Sequence, residues 1–295
     1  MHPACRPTIK VTRRRIPMLR GIYNSASGML AQQARLDTVA NNLANVDKTA
    51  YKKDLTVFKA FPDMIIRRVN ESGQGIVPAG SYDSMPIVGK LGTGVEVNEV
   101  YTQFKQGSLQ RTSSKFDLAL EGQGFFAVNT ERGERYTRNG SFTISEEGLL
   151  VTHNGNPVLG ENGPILVQRN NFIINERGEV IVNQEIPREA REMVGQDNNS
   201  WTEPVVIDRL KLVDFENIRE IKKEGDSLFR ETEHSGPPIP PENLKIRQGF
   251  LEKSNVNIVR EMVDMIEVQR SYEANQKSIT THDSTLGKLI NDVAR

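Results

Sequence analysis

Cysteine is nearly absent from this chain: Cys5 is the one thiol in 295 residues, so no disulfide can staple the fold. A cysteine-poor chain can sit in an oxidising compartment without mispairing, a weak pointer to location. Aromatic residues are scarce at 6%, and hydrophobic residues make up 37%. That is lean for an enzyme with a thick central core and fits an elongated molecule exposing much surface. An excess of either charge is missing too, since 38 Lys and Arg balance 38 Asp and Glu. A zero balance gives no electrostatic reason to expect nucleic acid or an anionic membrane as the main partner. It also gives little colloidal protection, which suits a chain that associates with its own copies. No run approaches the roughly 18 apolar residues of a membrane helix, so no membrane insertion is expected. Arg13, Arg14 and Arg15 are not followed by an apolar stretch of about 7–15 residues, which argues against a secretory signal. Met18 is therefore expected to be the start, with residues 1–17 an extension or tag.

Chemistry-bearing patterns are equally scarce. His153, His234 and His282 are isolated from any Cys or His at metal-ligand spacing. His153 next to Asn154-Gly155 reads as a turn residue. Glu146-Glu147 adjoin a glycine in an expected turn and read as solvated charge, not as a general acid/base pair. Gly122-Gln-Gly lacks the third glycine of a dinucleotide loop, so a bulge or tight turn is expected there. No catalytic residue, cofactor site or metal site is expected.

What the sequence does carry is periodicity at both ends. Ile22, Ala26, Met29, Gln33, Leu36, Ala40 and Leu43 step by four and three, with only Gln33 polar, which marks a narrow helical seam. At the far end Asn257 reads as an N-cap, with Glu261 in the first turn. Val259, Met262, Val263, Ile266, Gln269, Tyr272 and Ile279 then recur near helical spacing. Two helices alone cannot cover such seams on every side, so burial between molecules is favoured, with both helices poorly ordered in a free monomer. Asn41, Asn42 and Asn45 lower helix propensity near the end of the first helix. They are either an ordinary polar face or hydrogen-bonding groups that fix register between subunits.

The interior is β-rich. Val95–Val100, Phe125–Val128, Ser141–Ile144, Leu149–Thr152, Phe172–Ile174 and Val180–Val182 read as strands, followed by Val205–Leu212 and Ser227–Arg230. Asn139-Gly140, Asn154-Gly155 and Asn162-Gly163 read as tight turns, as does Arg177-Gly178. Strand follows strand without helical spacers, so an antiparallel arrangement is expected. The division expected is an extension at 1–17, an N-terminal helix and following segment at 18–61, and an irregular arm at 62–92. A β-rich middle domain at 93–245, closed by the stiff Gly236–Pro241 linker, and a C-terminal helix at 246–295 complete it. The fold class is α+β, with the terminal helices pairing as a coiled coil around an antiparallel β-rich middle.

Four segments, in order, carry a resemblance. Met18-Leu-Arg-Gly-Ile-Tyr-Asn-Ser-Ala-Ser-Gly-Met29, Asn41-Asn-Leu-Ala-Asn45 and Ala50-Tyr51-Lys52 resemble the N-terminal signature of the flagellar axial proteins. Gly122-Gln-Gly-Phe-Phe126 and Tyr136-Thr-Arg-Asn-Gly-Ser-Phe142 are similar to the core of the family's rod and hook branch. Gly249-Phe-Leu-Glu-Lys-Ser-Asn-Val-Asn257 and the run Glu261–Ser271 are similar to its C-terminal signature. The resemblance implies a structural subunit of the flagellar basal-body rod, exported through the flagellar type III apparatus without a cleaved signal, that polymerises with itself and with other rod or hook subunits in the periplasmic space. It implies terminal helices lining a tube, with Asn255 and Asn257 among the subunit-contact residues beside the two seams. Gly155–Pro164 and Arg209–Val213 look more like the proximal rod protein, while Leu91–Val95 and Val268–Tyr272 look more like the distal one; the proximal is favoured. Segments 62–92 and 184–204 depart from the compact members. The rival readings are a distal rod or hook subunit, a secreted cell-wall enzyme, for which no carboxylate pair or metal cluster is found, and an adhesin-like module.

Overall fold

The computed structural model describes residues 18–67, 87–167, 172–183 and 204–293. The expectations for 1–17 and for most of 184–204 fall outside these residues. Two long helices stand at the ends, α1 at Met18–Ala44 and α2 at Ile258–Val293. α2 starts directly after the expected N-cap, because Asn257 Oδ1 accepts the Arg260 N–H at 3.1 Å and caps the first turn. The preceding residues of the expected 246–295 helical segment instead carry strands at Lys245–Gln248 and Phe250–Glu252.

Among the described residues, eighteen strands lie between them. After α1 come β1 (Asp54–Ala60), β2 (Met64–Arg67), β3 (Ile87–Leu91) and β4 (Val95–Thr102). Next are β5 (Leu109–Arg111), β6 (Leu118–Glu121), β7 (Phe125–Thr130), β8 (Gly133–Thr137), β9 (Phe142–Ile144) and β10 (Leu150–Thr152). β11 (Phe172–Ile174), β12 (Glu179–Asn183), β13 (Pro204–Arg209) and β14 (Leu212–Val213) follow. The last four are β15 (Lys222–Gly225), β16 (Leu228–Arg230), β17 (Lys245–Gln248) and β18 (Phe250–Glu252). The largest sheet has the order β14-β7-β8-β16-β15, and β11-β12-β13 form a second. β17 returns to pair with β6, and β18 with β5, both antiparallel.

The chain divides into two compact units. One gathers the described residues up to Asp37, those between Thr56 and Glu99, and those from Met265 onward; the other holds Thr38–Leu55 and the described residues between Val100 and Asp264. In the first unit α1 and α2 meet through small side chains. Ser25 Oγ donates to Ser278 Oγ at 3.1 Å. Gly21 lies against the His282 ring and Gly28 against the Asn275 amide, so α1 and α2 run antiparallel here. Segment 62–92, expected as an irregular arm, contains β2 and β3, paired antiparallel from Met64↔Leu91 to Arg67↔Ile87 with a register shift between Ile66 and Arg67. Its glycines and prolines masked the β-prone runs Met64-Ile-Ile and Ile87-Val at its two ends.

The second unit holds the core, and β7 explains it. Phe126 and Val128 point into a cluster with Leu118, Phe142, Leu150, Val158, Phe172 and Ile246. Phe125 and Ala127 point the other way, towards Tyr136, Phe215 and Phe229. A strand buried on both faces reads as an unbroken apolar run, as Phe125–Val128 does.

The expected glycine turns divide into two kinds. Gly155, Gly163 and Gly178 have φ of 83°, 136° and 86°, as tight turns require. Gly140 does not adopt positive φ: the Leu118 carbonyl oxygen lies 1.6 Å from where its Cβ would be, so Asn139-Gly140 marks a close backbone approach and not a hairpin turn. Gly140→Ala should therefore cost about 3 kcal/mol or more. Gly155→Ala, which meets open space, should lose only about 1–2 kcal/mol for its left-handed backbone. Urea unfolding of both variants checks this, and the reverse order would sink the close-approach reading.

Candidate functional site

The second unit brings the distant sequence segments together around one buried ion cluster. Lys52, Arg138 and Glu252 are 0%, 3% and 2% exposed. Lys52 Nζ lies 2.5 Å from Glu252 Oε1, and Arg138 Nε donates to Glu252 Oε2 at 3.0 Å. Glu252 Oε1 also accepts the Gly107 N–H at 2.7 Å. Two cations thus share one carboxylate, and backbone carbonyls provide the remaining negative partial charge. Lys105 O accepts from Lys52 at 2.9 Å, Gly124 O from Arg138 at 2.9 Å, and Gly122 O from Arg138 at 2.6 Å.

Burial lowers the Lys52 ammonium from its ordinary value, and Arg138 adds to this against the pull of Glu252. Burial works to raise Glu252, but Arg138 and Lys52 outweigh it and hold its carboxyl below the usual range.

A shell of amide clips surrounds the cluster. Asn42, only 1% exposed, donates through Nδ2 to Asp54 O and accepts the Asp54 N–H at Oδ1, both at 2.9 Å. Asn255 Oδ1 accepts the Lys53 N–H at 2.9 Å, while its Nδ2 donates to Gln103 O and Lys105 O. Lys53 Nζ pairs with buried Glu261 at 3.1 Å. The Tyr51 hydroxyl lies 2.9 Å from Asn41 Oδ1, and burial, with Asp54 nearby, raises its phenol well above the ordinary value. Ala50 takes a left-handed φ of 54°, and its N–H donates to Glu252 O at 2.8 Å.

Within the chain Asn42 and Asn255 use both ends of their side-chain amides, and Asn257 caps α2. Asn41 is exposed, and Asn45 is half-buried with its Nδ2 on Asn41 O at 2.8 Å. Ile22, Ala26, Met29, Leu36 and Leu43 are half-buried, and Ala40 is exposed. On α2, Val259, Met262, Val263 and Ile266 are 72%, 48%, 51% and 51% exposed, an open apolar stripe. Gln269 is exposed, while Tyr272 and Ile279 are half-buried. Sequence reasoning missed the burial and pairing of Lys52, Arg138, Glu252 and Glu261. A signal existed, since all four lie within the segments that carried the resemblance, but charged residues in a sequence give no sign of burial. Among the described residues no group of three or more His, Cys, Asp or Glu could hold a metal ion.

Three family models match in chain order. They are Flagella basal body rod protein over 22–52, Flagellar hook protein FlgE/F/G D1 domain over 119–182, and Flagellar basal body rod FlgEFG protein C-terminal over 247–292. The flagellar basal-body rod protein FlgG of Buchnera aphidicola subsp. Schizaphis graminum is 36% identical, over 92% of this chain and 99% of that protein. FlgG of Borreliella burgdorferi is also 36% identical, over 94% of this chain and all of that protein. FlgF of Caulobacter vibrioides is 34% identical, over 87% of this chain and 90% of that protein. The chain belongs to the flagellar basal-body rod proteins and is a structural subunit of the rod. Lys52, Arg138 and Glu252 come one from each of the three matched segments.

The cluster's charge count makes a sharp prediction. Glu252→Gln leaves two buried cations facing each other without a counter-charge and should cost about 3–5 kcal/mol. Lys52→Met leaves the matched Arg138–Glu252 pair, with Lys105 O still bonded by Asn255, and should cost clearly less. Chemical denaturation of both variants decides it, and equal losses would refute the two-to-one reading.

The depressed Glu252 value sets the pH dependence. The stability this group provides is fully present above its unfolded value near 4.5 and is lost as pH falls through the lower folded value. The urea midpoint should therefore fall more steeply below about pH 4.5 in the unsubstituted chain than in Glu252→Gln; parallel curves would exclude Glu252 as the source.

Proposed function

We propose that this rod subunit works by polymerising through its terminal helices, and that the exposed stripe Val259, Met262, Val263 and Ile266 on α2 packs against neighbouring copies. The observation behind this reading is the stripe itself: four apolar side chains about half exposed or more on a helix whose start is capped and anchored. Full burial of each such side chain is worth about 1.5–3 kcal/mol, so four of them summed over many subunits give a stiff polymer. Ile22, Ala26, Met29, Leu36, Ala40 and Leu43 would form the α1 side of a coiled coil, with Asn41 and Asn45 near its end and Gln269, Tyr272 and Ile279 continuing the α2 side. Contacts of this kind are heterologous and run open-ended along an axis. The role is mechanical, not catalytic. Partners are further copies and other rod or hook subunits, and delivery is through the flagellar type III apparatus to the rod in the periplasmic space.

Rod placement follows the same line. Gly155–Pro164 and Arg209–Val213 favour the proximal segment, and relatives named FlgG and FlgF both match across most of this chain. Electron cryotomography of motors lacking the gene tests the assignment. A rod cut short, without a hook, is expected, and the stub's length reads the placement; complete rods with hooks would overturn the rod role. Ile266→Asp tests the stripe separately. Ile266 is 51% exposed in the monomer, so the fold should survive while motility and rod assembly are lost. A variant that still swims would rule the stripe out as an assembly surface.

A further inference from the structure

Residues 245–257 are tied to distant parts of the chain along almost their whole length. Ile246 is inserted into the main core at 1% exposed. Gln248 bridges Lys115 O and the Ile174 N–H. Glu252 takes both Lys52 and Arg138. Asn255 holds Lys53, Gln103 and Lys105. The segment then ends on Asn257, which caps α2.

We propose that residues 245–257 are a closing clasp: segment 45–54 docks into the second unit only after the clasp has seated, so that the first turns of α2 are anchored only on a complete chain. Charge gives the order. Until Glu252 arrives, docking Lys52 beside Arg138 brings two cations together without the carboxylate that pairs with both, and the N-terminal segment is repelled. Chain entropy gives the same order. Lys52 and Glu252 are 200 residues apart in sequence, and Arg138 and Glu252 are 114 apart, whereas the β7–β8 hairpin joins neighbours. Ala50 agrees with both. Its left-handed backbone persists where its surroundings over-determine it, and the partner of its N–H is the Glu252 carbonyl. A chain still lacking residues 245–295 therefore leaves segment 45–54, and with it the Asn42 end of α1, unanchored, which would keep incomplete copies from associating through it. This goes beyond the rod-subunit reading and does not depend on it.

Pulsed hydrogen exchange during refolding of the full chain, read by mass spectrometry, tests the order. Protection is expected first in 125–137, then in 245–257, with 45–54 protected together with the clasp or after it. Glu252→Gln should delay protection of 45–54 by about tenfold or more, or abolish it, with 125–137 unchanged. Lys52→Met, which leaves the Arg138–Glu252 pair, should let 245–257 close at the unsubstituted rate. The proposal is overturned if 45–54 is protected before 245–257, or if Glu252→Gln leaves 45–54 unaffected. It is overturned equally if Lys52→Met slows 245–257 as much as 45–54. Loss of protection in 125–137 on Glu252→Gln would also overturn it, because the segment would then belong to the nucleus and not to its closure.

Discussion

A single buried carboxylate, Glu252, stands between two cations that the chain brings from 200 and 114 residues away. Burying three charges costs several kcal/mol each unless every donor and acceptor is placed. That requirement organises its surroundings. Gly122 and Gly124 adopt φ of 119° and 141°, and their carbonyls both receive the Arg138 guanidinium. The bulge or tight turn expected from Gly-Gln-Gly is thus also a cradle for a cation. Gly107 serves the same cluster with its N–H, and the Lys253 carbonyl lies 2.0 Å from where a Gly107 Cβ would be. The glycines here are set by the ions they surround.

Legibility followed the physics of each signal. Helices α1 and α2 were readable because their periodicity runs over many turns. The strands at Phe125, Phe142, Leu150, Phe172 and Val180 were readable because β-prone runs sit between turn residues. Gly140 was misread, since an Asn-Gly pair looks the same whether glycine supplies a positive φ or makes room for the Leu118 carbonyl. The hairpin of β2 and β3 was hidden by the glycine and proline content of the residues between its strands.

The candidate site was legible only as segments, not as chemistry. Ala50–Lys52, Tyr136–Phe142 and Gly249–Asn257 were each singled out, but nothing in a one-dimensional pattern says that a Lys, an Arg and a Glu within them meet and are shut away from water. The asparagines show the same limit. Three amides within Asn41–Asn45 are equally polar in sequence, yet Asn42 grips both backbone groups of Asp54 while Asn41 is exposed. Burial separates them, and burial is decided by tertiary packing.

Polar and apolar groups have changed places relative to a simple globular expectation. Lys52, Arg138, Glu252, Glu261 and Asn42 are inside, while Val259, Met262, Val263, Ile266, Leu289 and Ile290 are outside on α2. Each half accounts for the other. A helix that keeps its apolar stripe for contacts beyond the monomer cannot use that stripe to fix its own start. Its first turn must be held by directional groups, and it is: Asn257 caps it, and Glu261 is paired with Lys53 in the interior. Ion pairs and amide clips fix position more sharply than apolar contact does, because they tolerate little displacement before their geometry fails. In this chain the hydrophobic surface is left free for association, and the buried charges set where that surface begins.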